Sequence, residues 1–430
     1  MYPSQKTLER VVEENYRKLK HGILIDATQK FNDHAHKAVQ PSNRYFNDGK
    51  SLLYFSRWLG NFPFTRNTDG LLEVKLLSWP VFYTILRYCI LAAPIIMQYR
   101  HKMIGILNTD SDVNGILNRL LLMVTLNVNL IIPICYVYQT RDMVAYQNMW
   151  KQFQADYAAR FGSCILFNLN SFVRLSLILV LFLPVIQTIL LIGILDSADF
   201  SRITLLETVS FFAASYSMYA FLLTWYFNSY AFQITIRTLT DHAVQALRSK
   251  YSASELRDTR EMWLQIAALI KFFGSSEMAT FGVVIISVFL VFIISTYGLI
   301  ICIFDSSFGS AIFIHIFLCL FSFFYMFMLS DCAHQIKDQI GFKFNKKFLE
   351  VSMYDFDEEK QIEVEKFLEA MTMETPEINI SGYLVVDRTL TVKFLATSVT
   401  YLIVLLQFKT SAEEGREARE SEEKVSTPAL

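Results

Sequence analysis

The sequence predicts an all-α membrane protein: seven transmembrane helices with a cytoplasmic helical anchor region, the N-terminus inside and the C-terminus outside. Three observations predict it. Of 430 residues, 53% are hydrophobic, 15% aromatic and only 18% charged, which gives too much apolar surface for a chain dissolved in water. Apolar runs recur at about the 20-residue length a helix needs to cross a hydrocarbon core of roughly 30 Å. Lys and Arg gather in alternate connections, the asymmetry that sets orientation.

The N-terminal segment, 1–75, is polar and mixed in charge (Arg10, Glu13, Glu14, Arg17, Lys18) and has no apolar core of signal-peptide type, so it is expected in the cytoplasm. Spans follow at 76–97, 116–138, 174–195 and 206–228, which make 76–228 transmembrane helices 1–4. A cytoplasmic extension and loop, 229–278, leads to helices 5 and 6 at 279–304 and 310–330 (279–330 together). Residues 331–388 are expected as inner helices, 389–408 as the seventh span and 409–430 as a disordered outer tail. All spans must be helices, because the backbone satisfies its own hydrogen bonds in lipid and the runs are too long and too uniformly apolar for barrel strands.

The connections give the orientation. The 98–115 link carries two basic residues, 196–205 one and 305–309 none, against three in 139–171, six in 229–278 and six in 331–387. The rich set goes inside. Within it, acidic residues open 357–372, and Val364, Phe367, Leu368 and Met371 recur at i, i+3, i+4, i+7, which predicts a helix with one apolar face. It is expected to pack below the bilayer or to lie on the membrane surface.

Several functions are excluded. A net charge of −1 without a basic block offers nothing to nucleic acid. The six cysteines are irregularly spaced in apolar stretches and form neither a disulfide framework nor a zinc pattern. No HExxH, GxSxG or P-loop is present, His34 and His36 read as solvated, and neither an enzyme nor a cofactor is expected. Asn379-Ile380-Ser381 has the form of a glycosylation acceptor, but this topology puts it inside.

The last span stands apart. Lys393 precedes only 15 apolar-rich residues, Phe394 to Phe408, which at 1.5 Å each cover about 22 Å. Thr397, Thr400, Tyr401 and Val404 share one helical face, which Gln407 and Phe408 continue. Such polar groups suit either a water-lined pathway or the seam between packed helices.

Thr400-Tyr401, five hydrophobics, then Gln407-Phe408 resembles the TYhhhhhQF signature in the last helix of insect gustatory receptors. The stretch from Tyr325 to Met371, INISGYLVVDRTL at 378–390 and RWLGNFPFTR at 57–66 resemble the carbon dioxide receptor branch of that family. The resemblance implies a ligand-gated, non-selective cation channel in the plasma membrane of a sensory neuron. It implies homo- or heterotetramers with related subunits, in which the final helix lines the pore and the inner helices form an anchor. Carried over by motif position, Gln407 and Phe408 would sit at the narrow outer part of the pore, with Tyr401 packing that helix against its neighbours.

The same resemblance implies a pocket for a small molecule, carbon dioxide or another tastant or odorant, in the outer half of the first six spans. The polar and aromatic residues there are Asn118, Gln187, Glu207, Tyr216, Tyr219, Ser295, Tyr297 and His315. Glu207 and His315 stand out, since an ionisable group within a span is costly unless it faces a cavity or partner. Against this, Glu207 is also near enough the outer interface to reach water, and His315 also reads as a satisfied core histidine. Other readings are a gustatory receptor for sugar or bitter ligands and, from a different class, a G-protein-coupled receptor or a transporter. The first of that last pair would need an outside N-terminus, and the second repeated halves with broken helices.

Overall fold

A computed structural model describes residues 43–75, 77–107, 113–196, 205–249, 253–304, 310–351, 356–374, 376–380 and 382–426. Its frame is α1 (Arg44–Trp58), α2 (Trp79–Leu107), α3 (Val113–Phe161), α4 (Asn170–Asp196), α5 (Leu205–Arg248), α6 (Ala253–Ser276), α7 (Met278–Phe304), α8 (Ser310–Lys337), α9 (Phe344–Leu349), α10 (Glu358–Met373) and α11 (Arg388–Ser426). A π-helical stretch, Asp338–Lys343, joins α8 to α9. Two short antiparallel hairpins complete it: β1 (Thr65–Arg66) with β2 (Leu72–Glu73), and β3 (Asn379–Ile380) with β4 (Leu384–Val385).

The seven expected spans fall on α2, α3, α4, α5, α7, α8 and α11. Among the described residues, five helices are long and apolar enough to cross a membrane, within α3, α4, α7, α11 and the run from α8 through α9, while α2 contributes a shorter apolar stretch, Trp79–Ala93. α5 carries the remaining expected span and packs against α1, α3, α4, α6 and α8. Ser210, Ser215 and Ser217 are buried within the bundle, where small hydroxyl side chains let neighbouring backbones approach.

α3 and α5 run on past their spans, and with α6 and α10 they build an inner core from aromatic rings. Trp150 of α3 stacks on Tyr45 of α1 at 4.5 Å and meets Phe232 of α5 at 5.3 Å. Trp225 of α5 lies 4.9 Å from Phe273 of α6 and 4.8 Å from Phe281 of α7. The periodic face of α10 points inward: Val364 and Phe367 are buried, with Leu368 and Met371 partly buried against the same core. The docked N-terminal helix is capped from a distance, since Gln154 Oε1 accepts the backbone N–H of Arg44 at 2.9 Å. Of the sequence 57–66, Leu59, Asn61, Phe62 and Phe64 are buried and Gly60 supplies a turn at φ +68°.

Charged side chains fasten the inner helices. Arg260 Nη2 of α6 donates to Glu363 of α10 at 2.8 Å, and Lys360 Nζ donates to the carbonyls of Leu247 (2.8 Å) and Ser249 (2.6 Å) at the end of α5. Those carbonyls have no partner within their own helix, and a cation there complements the helix dipole.

Beyond residue 408, where a disordered tail is expected, α11 continues to Ser426. The sequence explains the difference: Ala, Glu and Arg are strong helix formers, and Glu420 with Lys424 stands at the favourable i, i+4 spacing. Polarity alone does not separate a solvated helix from a disordered segment.

Removing the Lys360 amine leaves buried carbonyls unpaired, an effect of about 1–3 kcal/mol. Lys360→Ala is therefore expected to lower the melting temperature of the solubilised protein, and Lys360→Arg to restore part of it. His242 gives a pH prediction. Its Nε2 lies 2.7 Å from the Tyr157 hydroxyl and its ring stacks on Phe161 at 4.6 Å, while burial lowers its pKa from 6.5. The neutral form is thus favoured in the fold, and this contribution is lost as pH falls below about 6.5. Melting curves from pH 7.5 to 5.5 should decline less steeply in His242→Gln than in the parent.

Candidate functional site

Two regions collect the residues singled out by sequence: the outward-turned side of α11, and the contact of α7 with α8 together with that of α4 with α5. α11 is held at its base by charge and above it by packing. Arg388 donates to Asp331 of α8 through Nε (2.8 Å) and Nη2 (2.7 Å), and Lys337 Nζ lies 3.0 Å from Glu377 and 3.7 Å from Asp387. Above this, Phe394 meets Phe292 at 5.1 Å and Phe289 at 5.4 Å. Higher still, Leu402 joins Ile293, Tyr297 and Ile301 of α7.

The helical period that buries Phe394, Ser398 and Leu402 turns the motif outward. Thr397, Thr400, Tyr401, Val404, Gln407 and Phe408 are all exposed, Phe408 by 68% and Tyr401 by 54%. Tyr401 still touches α7, its ring edge-on to Phe289 at 6.0 Å. α11 is the least covered of the five apolar helices, with only 17% of its apolar window buried, against 50% for α7. Two hydroxyls of α11 face the bundle, Thr391 and Ser398, the latter donating to Phe394 O at 2.7 Å, while Thr397, Thr400 and Gln407 face away from it.

The α7–α8 contact is built around a glycine. His315 is 1% exposed and lies against Gly298 so closely that a Cβ there would stand 2.5–2.8 Å from its ring atoms. His315 Nδ1, Ser295 Oγ and Ser322 Oγ are buried without a hydrogen-bond partner. Their spacing, Ser295 to Gly298 by three residues and His315 to Ser322 by seven, puts each pair on one helical face. The result is a seam of unpaired polar atoms in an apolar interface.

A second group forms where α4, α5 and α8 meet. The Tyr219 hydroxyl donates to Gln187 Oε1 at 3.2 Å, and its ring stands edge-on to Phe321 at 5.7 Å. Tyr216 donates to Leu181 O at 2.9 Å and so ties α5 to α4. Tyr297 belongs elsewhere, packed among the α7 and α11 residues around Leu402. The side chains of Glu207 and Asn118 fall outside the described residues. Among the described residues no group of three His, Cys, Asp or Glu is placed to hold a metal ion.

Sequence reasoning missed Gly298, Phe289 and the Arg388–Asp331 pair, because each acquires meaning only from a partner distant in the chain. A lone glycine inside a long apolar helix was the available signal, since it marks a place where another group can come close.

The family model described as 7tm Chemosensory receptor matches residues 49–411. The chain is similar to Gustatory and odorant receptor 24 of Anopheles gambiae, 27% identical over 376 residues, which are 85% of this chain and 79% of the relative. It is also similar to Gustatory and odorant receptor 21a of Drosophila melanogaster, 25% identical over 382 residues, 86% of this chain and 82% of the relative. Among solved structures, the insect olfactory receptor OR5 from Machilis hrabei superposes with a TM-score of 0.58 at 13% identity, covering 84% of this chain and 97% of that one. The same receptor in complex with eugenol gives 0.59 at 12% identity, again covering 84% and 97%. At that identity the likeness is one of fold.

Gly298→Ala should force α7 and α8 apart and lower surface expression and melting temperature, at an overpacking cost of about 1–3 kcal/mol. His315→Ala in the same chain makes room for the new methyl. The double variant is expected to recover relative to Gly298→Ala, as the non-additivity of residues in contact requires; additive losses would show that the two do not share the space.

Proposed function

The chain belongs to the 7tm chemosensory receptor family, and on that premise we propose that it is a subunit of a ligand-gated, non-selective cation channel that senses a small molecule. The observation that carries this reading is the uncovered, motif-bearing side of α11. Thr397, Thr400 and Gln407 are exposed along a helix whose opposite side is packed against the bundle. Polar groups at such positions are costly in hydrocarbon and favourable beside water. A tetramer that gathers this side of α11 around a central axis would put them there.

In that arrangement Gln407 and Phe408 stand at the outer throat. An apolar ring dewets a narrow pore and shuts it, and a rotation that replaces Phe408 by the Gln407 amide lets hydrated cations pass. No charged ring stands at these positions, so discrimination among cations is weak. Residues 331–388 act as the anchor between subunits, and the N-terminus lies inside the cell, at the plasma membrane of a sensory neuron.

The ligand seat is the outer half of the bundle, where His315 and the Tyr219–Gln187 pair supply polar atoms on apolar walls. α7 connects seat to pore: Gly298 faces His315 on one side, and the adjacent Tyr297 packs toward Leu402 of α11 on the other. A ligand opens the channel only by binding the open state better than the closed one, and a shift from 1:99 to 99:1 takes about 5.5 kcal/mol of that difference. We take carbon dioxide as the first ligand to test, on the motifs at 57–66, 325–371 and 378–390 that resemble the branch sensing it. Sugar or bitter ligands are the alternative within the family.

Whole-cell recording of this chain, alone and with related subunits, during steps of carbon dioxide, sugars and amines tests the reading. Gas-evoked cation current is expected; current to sugars with none to the gas under any pairing would transfer the specificity. Gln407→Ala and Phe408→Ala are expected to alter permeation or leak at normal surface expression, and unchanged conductance in both would remove the pore assignment.

A further inference from the structure

Away from the pore and the outer seat, the inner ends of α3 and α5, the docked α1 and the elbow between α6 and α7 enclose a cavity. It leaves about 20 Å³ for the centre of a water-sized sphere, which is room for one water molecule. Its polar wall is Ser56, Tyr136, Tyr146, Gln147, Thr224, Asn228 and Glu277. Glu277 is the single residue between the end of α6 at Ser276 and the start of α7 at Met278. Thr280, three residues on, donates its N–H and hydroxyl to Gln139 Oε1 of α3 at 3.2 and 2.8 Å. The elbow is therefore fixed, and Glu277 is fixed with it.

A count of protons around the wall shows what is missing. Tyr146 donates to Asn228 Oδ1 at 2.7 Å, and Tyr45 donates to the same oxygen. Asn228 Nδ2 donates to Thr224 O at 2.7 Å, and the Thr224 hydroxyl to Ala220 O at 2.9 Å. Two acceptors, Gln147 Oε1 and Glu277 Oε2, are buried without a donor. Their residues are 7% and 5% exposed, so bulk water does not reach them. A buried acceptor without a donor costs about 1–3 kcal/mol, and two in one small polar cavity are not expected to remain so.

The charge at the site is also constrained. Among the described residues no Lys, Arg or His lies within ion-pair distance of Glu277, and burial raises its carboxyl pKa from 4.5 to about 8. A neutral glutamic acid keeps an acceptor oxygen and avoids the much larger penalty of an unpaired buried charge.

We propose that this cavity is a resident water site, in which one water molecule donates its two protons to Glu277 Oε2 and Gln147 Oε1 and thereby joins the α6–α7 elbow to α3. The Ser56 and Tyr136 hydroxyls complete its surroundings. The site lies beneath α7, the helix that touches both His315 and α11, so it sets where that helix starts. The proposal does not depend on the channel reading.

A high-resolution map of the full chain in lipid nanodiscs tests it directly. The expected feature is one peak at about 2.7–3.2 Å from both oxygens. The proposal is overturned by no peak where equally buried waters elsewhere are visible, or by a peak with several oxygens at about 2.3–2.6 Å, the spacing of a hard cation. Thermal melting gives an independent readout. Glu277→Gln keeps an acceptor of the same shape and is expected to melt within about 2 °C of the parent. Glu277→Leu, which cannot hold the water, is expected to fall by several degrees. Equal losses in both variants would mean that the carboxylate charge itself is required, and no loss in Glu277→Leu would mean that the water contributes nothing; either result defeats the proposal.

Discussion

The structure depends on a continuous run of ring contacts through the inner half of the bundle. Trp150 meets Phe232, Phe232 meets Phe273 at 5.9 Å, and Phe273 meets Trp225, which stacks on Phe281. The run passes from α3 to α5, α6 and α7, and each of its rings is at most 1% exposed. Truncating one such ring in a packed core costs about 3–5 kcal/mol, a large fraction of the stability of any domain. Outside the hydrocarbon such burial is driven by water. Within it, lipid is as apolar as the side chains, and helices associate through close packing and hydrogen bonds instead. The inner core therefore fixes the lower ends of helices whose upper ends are held less firmly.

That difference bears on how the outer half works. α7 has a defined neighbour on each side at the same level: His315 of α8 against Gly298, and Leu402 of α11 beside Tyr297. A side chain that fits against a glycine with no space to spare cannot shift without moving the backbone it touches. Packing thus links His315 through Gly298 and Tyr297 to Leu402 of α11, while the ring contacts hold the start of α7 in place.

The attachment of α11 has a different character. Its Arg388–Asp331 link brings two guanidinium nitrogens to one carboxylate oxygen, Oδ1, but is partly open to solvent, with the Arg388 side chain 57% exposed. Exposed ion pairs contribute about 0–1 kcal/mol, so the pair orients the start of the helix more than it stabilises it. Cohesion comes from Phe394 and Leu402, and on the exposed side Tyr401 adds one ring contact, to Phe289. A tether of this kind allows rotation of the helix at small cost.

The sequence by itself determined the number and order of the membrane helices, the helical nature of the inner segments, the apolar face of 364–371 and the family, because hydropathy, periodicity and short motifs are local properties of the chain. It ranked His315 as unusual for a correct reason, the cost of an ionisable group in a span. It could not say that Gly298 makes the space His315 fills, that Tyr297 turns toward α11 and not toward Tyr219, or that Glu277 at the α6–α7 elbow belongs with Gln147. It also took the charged end of α11 for a tail. Each of these was decided by tertiary structure, for one physical reason: whether a polar or small residue is satisfied, packed or exposed depends on which distant segment lies against it, and only folding sets that partner.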